Sequence, residues 1–410
     1  MLRNALLPAA VAAIWTTTAT ALEVDPNVIP EISLGGRVIV TPAHEREDGP
    51  EGDEDDTVVE FDDSSILFGF SKYLFDDENY GFGVFGLKIP EDDTDLDDDI
   101  FIHEAHVGVG GPRFEVKLGR SRLTNTLVQF PTLRDDDLLE FTHVLNGHTN
   151  TGAEEDQIFG GIVQGSWWFT DAIYVTGAVT ARTESDAAGD RGSRTDFNGA
   201  SLGVAYSVPE SIKFDRGLRF AGIGVDYQDL EDFADGFTAP GDETVAVIAG
   251  LTYNLSDNPE ATWVVDGQGI HNDGAEVEGL GEPAQRARAE STAAVAALRY
   301  FHRPYLQTRW QAAVTVGWKD YHDFADAGAY TVAPTFVYRL GSGVDFLAQY
   351  RYRHNDDGLA AFTGVEDEHV VAAGLSFSFD HTFNETVGDR GAILNLEHGT
   401  LDIGPIGGGH

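Results

Sequence analysis

Apolar and polar residues alternate with a period of two along most of this chain, in about sixteen runs of roughly ten residues each. A strand points successive side chains to opposite faces, so each run predicts one apolar face and one polar face. In residues 32–40, Ile32, Leu34, Val38 and Val40 fall on one side, and Ser33, Arg37 and Ile39 on the other. Runs follow over 65–73, 80–89, 100–109, 158–169, 173–182, 198–208, 218–227 and 244–255, with a long gap near 274–285. The later runs are sharper. In 308–318, Trp310, Ala312, Val314, Val316 and Trp318 share the apolar face, opposite Arg309, Gln311, Thr315, Gly317 and Lys319. In 344–352, Phe346, Ala348, Tyr350 and Tyr352 oppose Asp345, Gln349, Arg351 and Arg353. Aromatic residues close such runs at both ends, as at the two interfaces of a bilayer.

The gaps between runs carry a second signal. Short turns at 76–79, 110–112, 170–171, 256–259, 303–304 and 341–343, with a longer one at 209–216, alternate with acidic stretches such as 45–56 and 91–99. That alternation predicts an all-β fold, a transmembrane antiparallel β-barrel of about sixteen strands with short inner turns and long outer loops. Pro334 falls inside a strand, where the expectation is a bulge.

The first residues read as an export signal: Arg3, an apolar stretch over 5–15, then Ala19-Thr20-Ala21. The expected organisation is a signal over 1–21, a barrel over 22–383 and a tail over 384–410. No later stretch offers the roughly 18 consecutive apolar residues a spanning helix needs, which excludes a helical membrane protein. With no cysteine, disulfides and thiolate metal sites are excluded. A mean hydropathy of -0.20 and a formal charge of -43 would suit a soluble protein, but a barrel's average conceals one face in lipid and one in water. The acidic excess argues against nucleic acid and anionic surfaces as partners.

The segment Glu104-Ala-His-Val-Gly-Val-Gly-Gly-Pro-Arg-Phe-Glu-Val-Lys-Leu-Gly-Arg120 resembles the strand, glycine turn and strand that lead into the third external loop of the trimeric Gram-negative outer-membrane porins. Gly374-Leu-Ser-Phe-Ser-Phe379 resembles the assembly signal of outer-membrane barrels, although the chain then continues to Gly404-Pro-Ile-Gly-Gly-Gly-His410. Phe379 or Phe383 then closes the barrel, and the tail is either periplasmic or inserted in the lumen. The resemblance implies a homotrimer set in outer-membrane lipid, a water-filled channel for passive diffusion of ions and small hydrophilic solutes, and no cofactor. It also implies a third loop, here 121–157, folded into the lumen, with acidic residues facing basic residues on the wall.

On that loop the acidic candidates are Asp135, Asp136, Asp137 and Glu140. The basic candidates, by strand parity, are Arg37, Lys117, Arg120, Arg182, Arg309, Arg339, Arg351 and Arg353. Opposite charges across a low-dielectric constriction orient a passing solute without breaking a bond. An arginine wall favours anions and the acidic loops concentrate cations; the balance leans to cations. A dedicated channel for phosphate, another anion or a sugar is the alternative, and Arg339, Arg351 and Arg353 would begin its internal ladder. The Asp-rich stretch 92–99 is no EF-hand, because Asp98 stands where the turn glycine is required. A barrel hydrolase is the rival class, but Glu104 and His106 on one strand face make no catalytic set and no Gly-x-Ser-x-Gly turn occurs.

Overall fold

The computed structural model describes residues 31–49, 52–60, 64–74, 78–88, 101–120, 130, 162–184, 194–208, 215–229, 243–274, 279–281, 286, 289–304 and 307–383. The proposed signal 1–21, the stretch 91–99, the acidic candidates Asp135, Asp136, Asp137 and Glu140, and the tail 384–410 lie outside the described residues.

The strands are β1 Glu31–Gly49, β2 Gly52–Glu60, β3 Ser65–Tyr73, β4 Tyr80–Lys88, β5 Phe101–Gly111, β6 Phe114–Arg120, β7 Ile162–Trp168, β8 Ile173–Glu184 and β9 Arg194–Ser207. They continue as β10 Gly217–Asp229, β11 Glu243–Asn254, β12 Ala261–Asp273, β13 Ser291–His302, β14 Trp310–Tyr321, β15 Gly328–Gly341, β16 Val344–Asn355 and β17 Asp367–Phe383, with a short helix α1, Asp357–Thr363, between the last two. Each strand pairs antiparallel with its neighbours, and β1 pairs with β17 from Ile32↔Phe383 to Asp48↔Asp367, so the sheet closes. The upper half of β1 pairs with β2 and its lower half with β3, which therefore form one wall strand, giving a closed barrel of sixteen. At the break between them Ser64 Oγ accepts from the Ile39 N–H at 3.0 Å, replacing a ladder bond. The last strand runs to Phe383.

Alternation sorts the two faces as the sequence predicts. On β14, Val314, Val316 and Trp318 are exposed while Gln311, Thr315 and Lys319 are buried. Leu67 and Val84 point inward beside exposed Phe68, Phe70 and Phe85. Aromatic rings run along the outer face at the turn end: Trp263 to Tyr300 at 4.7 Å, Tyr300 to Trp310 at 5.0 Å, Trp310 to Phe336 at 6.1 Å. Such a belt suits a membrane interface, where rings are half apolar and half wet. Glycines opposite aromatic residues tighten the wall. A Cβ on Gly36 would lie 2.8 Å from Phe379, whose ring covers it from the paired strand, and Phe70 covers Gly83 in the same way.

Two expectations are corrected. The stretch 45–56 is not a loop: β1 and β2 pair through it, Glu45↔Asp56, Arg46↔Asp55, Glu47↔Glu54 and Asp48↔Asp53, as far as Gly49↔Gly52. A hairpin standing clear of lipid needs no apolar face, so the alternation that marks a wall strand is missing there. Arg46 holds it by bonding Asp48 at 2.8 Å and Asp53 at 3.1 Å. Nor does Pro334 sit at a bulge. The register with β16 is unbroken, Val332↔Tyr352 and Thr335↔Gln349, and only the pairing of positions 333 and 334 lapses, while Pro334↔Val314 is kept on the other side. Because proline lacks only the N–H, skipping one ladder bond is enough.

Candidate functional site

The inner wall is the candidate site, since among the described residues it concentrates charge within the apolar shell. Four of the proposed basic residues lie close together on the wall, Arg339 on β15, Arg351 and Arg353 on β16, and Arg37 on β1, with β17 between the last two strands. Arg339 Nε reaches Asp345 Oδ1 at 3.3 Å, and Asp345 is the cross-strand partner of Ser376, whose Oγ accepts from Arg37 Nε at 2.9 Å. One row of hydrogen-bonding groups thus crosses the wall near the turn end. Closer to the outer mouth, Arg351 Nη2 donates to Glu368 Oε1 at 2.7 Å, and Arg353 Nε to Asn355 Oδ1 at 3.0 Å. Glu368 pairs in turn with Arg353 and with Glu47 on β1, so carboxylates gather at this end of the wall.

Lys117 points inward on β6, its Nζ 3.8 Å from Glu115. Arg120 ends β6 and Arg182 lies on β8, opposite Asp196; their side chains lie outside the description. Arg309 is placed differently from its parity. It precedes β14, is exposed, and stacks 4.9 Å over Tyr338, whose hydroxyl it bonds at 2.9 Å. Tyr338 faces outward, so Arg309 belongs to the aromatic rim and not to the lumen cluster.

A second basic group was missed. On β12 and β13, Asp266 Oδ2 accepts from Arg299 Nε at 2.5 Å, and Asp266 Oδ1 from the Thr252 hydroxyl at 2.7 Å. Arg303, in the turn after β13, is fully buried, bonding Thr262 at 3.0 Å and Thr308 at 3.1 Å and lying 4.4 Å over Phe301. Burial first, then the charges of Arg219 and Arg299, lower the Arg303 pKa to about 10. The Arg303 guanidinium therefore feels the charges of Arg219 and Arg299, and Arg299 is itself bonded to Asp266. Parity would have found Arg299, but alanines on both faces of β13 (Ala293 in, Ala294 out) blur its alternation. Arg219 sits at the shift between Leu218 and Phe220, where parity inverts, and no period announces it.

The inner wall is not uniformly polar. Ile39, Val337, Leu347 and Val370 form one buried inward cluster. A larger one, towards the outer mouth, joins Ile248, Ile270, Val295 and Tyr321 on the wall with Leu280, Ala327 and Leu359 from the connections above. These connections turn inward because the wall offers them apolar surface to cover. Phe130, the one described residue of the third connection, is buried in that same cluster. His106 also points inward, edge-on to Phe82 at 6.1 Å.

No protein-family model matches the chain, and no curated protein sequence matches it. Solved structures do. The anion-selective porin of Comamonas acidovorans aligns over 86% of this chain and 100% of its own at 15% identity and a TM-score of 0.53. OprB of Pseudomonas putida aligns over 86% and 94% at 9% identity and a TM-score of 0.55. The outer membrane channel DcaP of Acinetobacter baumannii aligns over 85% and 97% at 14% identity and a TM-score of 0.52. At such identities the likeness is one of fold: the chain is a closed antiparallel barrel of the outer-membrane kind, porin-like in architecture.

Proposed function

We propose that the protein is an outer-membrane channel through which ions and small hydrophilic solutes diffuse passively, assembled as a homotrimer and exported by the signal over 1–21. The observation that carries this reading is the contrast of faces: outward Val314, Val316 and Trp318 are apolar and exposed, while Arg37, Arg351, Arg299 and Asp266 are enclosed by the ring. A closed ring with that polarity gives water a path and lipid a seal.

In this reading the third connection enters the lumen at Phe130, and Asp135, Asp136, Asp137 and Glu140 face the basic wall formed by Arg37, Lys117, Arg339, Arg351 and Arg353. Planar-bilayer recording of the purified protein under a salt gradient tests it. Discrete conductance steps are expected, and replacing the three adjacent aspartates by asparagine shifts the zero-current potential towards anions. A silent bilayer removes the channel; an unchanged potential removes the aspartates from the constriction. A narrower, anion-selective route is the second reading, favoured by the convergence of Arg219, Arg299 and Arg303 at the turn end. Its mark is block of chloride current by low concentrations of phosphate.

A further inference from the structure

On the outer face of the barrel, where β16 and β17 leave the membrane on the loop side, the geometry points to a binding site for a divalent transition-metal cation, of the Zn2+ type, formed by His354, Glu366 and Asp367. One ligand atom from each of these residues lies within 4.8 Å of the others. Ligands of a tetrahedral zinc ion stand about 2.0–2.2 Å from the metal, hence roughly 3.3 Å from one another. Side-chain tips have to move by about 1.5 Å or less to close that difference, which half-exposed side chains do by rotation alone.

The backbone is already in place. His354 and Asp367 are direct cross-strand partners, with Nδ1 and Oδ1 2.9 Å apart. Glu366 is anchored on both sides: its N–H donates to Asp48 O at 2.9 Å and its carbonyl accepts from Asn355 N at 2.8 Å. The Tyr352 hydroxyl donates to Asp367 Oδ1 at 2.6 Å and orients that carboxylate. Coordination through His354 Nδ1 leaves the ring proton on Nε2. Asp356 Oδ1 lies 4.0 Å from that nitrogen. Asp356 is the N-cap of α1, yet its side chain makes no capping bond. Its carboxylate is thus positioned as the outer partner that metal-bound histidines commonly have, which fixes the tautomer and raises ligand basicity.

An imidazole among carboxylates selects the ion. Ca2+ takes oxygen ligands only, whereas imidazole suits Zn2+, Ni2+ and Cu2+. Arg46, the nearby cation on β1, is engaged by Asp48 and Asp53, so it does not occupy the carboxylates of the site.

Titration calorimetry of the full-length, detergent-refolded protein with Zn2+ tests the proposal, with Ca2+ as competitor to discount loose binding by the acidic surface. One saturable site is expected that Ca2+ does not displace. The variants His354→Gln and Asp367→Asn lose it, and Asp356→Asn weakens it by about tenfold, as loss of an outer partner does. Tyr352→Phe, which keeps every ligand, retains it. Should His354→Gln fail to fold, judged by heat-modifiable gel mobility, Asp356→Asn carries the test. Wild-type Zn2+ affinity in His354→Gln or in Asp356→Asn, or displacement by equimolar Ca2+, overturns the site.

Discussion

Arg351 and Glu368, on adjacent strands of the inner wall, are joined by a 2.7 Å charge-assisted hydrogen bond with the guanidinium 2% and the carboxylate 15% exposed. Removing one partner of a buried pair strands the other charge, which costs about 3 kcal/mol or more, whereas replacing both by apolar residues of similar size is close to neutral. Glu368→Gln is therefore expected to lower the denaturant midpoint of the refolded barrel clearly, and the double variant Arg351→Met with Glu368→Leu to lower it less. Equal losses would mean that the pair is not electrostatically coupled.

Arg303 feels the charges of Arg219 and Arg299, the latter bonded to Asp266. Replacing Arg219 and Arg303 by glutamine removes two positive charges while leaving the Arg299–Asp266 bond in place. The zero-current potential under a salt gradient should move towards cations, and more at low ionic strength than at high, because screening shortens the reach of each charge. A potential that does not move would place the route of the ions elsewhere.

The face assignment on β14 is open to direct reading. Val316→Arg puts a charge against lipid near mid-strand and should cost about 2–4 kcal/mol of folding stability, falling off for substitutions closer to either interface. The chain has no cysteine, so single-cysteine variants report cleanly. Cysteine at Val314 or Val316 is expected to resist water-soluble thiol reagents in liposomes and to quench against lipid-borne probes. Ready labelling of either by the water-soluble reagent would contradict the outward assignment.

Phe130 is buried in the cluster that includes Ile248, Ile270 and Val295. Truncating a buried phenylalanine to alanine costs about 3 kcal/mol or more. If this residue pins the third connection inside the lumen, Phe130→Ala raises single-channel conductance and exposes the connection to protease added from outside. Unaltered conductance with unaltered proteolysis would leave the residue as wall packing only.

How much of this was legible in the sequence differs from element to element. The face of β14 is read correctly from alternation because Trp310 to Trp318 contrasts bulky apolar with polar residues at every step. The hairpin of β1 and β2 escaped, since alternation records lipid on one side and the hairpin has water on both. Arg309 has lumen parity but lies just before its strand begins, where parity no longer dictates direction, and Tyr338 draws it outward.

By itself, the sequence determined the two-faced ring: within a regular strand a period of two settles inside against outside residue by residue, and it fails where the strand has not begun, as at Arg309, or shifts register, as at Arg219. Only the tertiary structure decided which side chains meet. That Arg351 finds Glu368 and that Asp367 stands opposite His354 depend on register, and that Phe130 joins the cluster of Ile248 depends on a long connection. Those contacts span strands and loops, and a slip of one residue in pairing would exchange every partner while leaving the pattern along the chain unchanged.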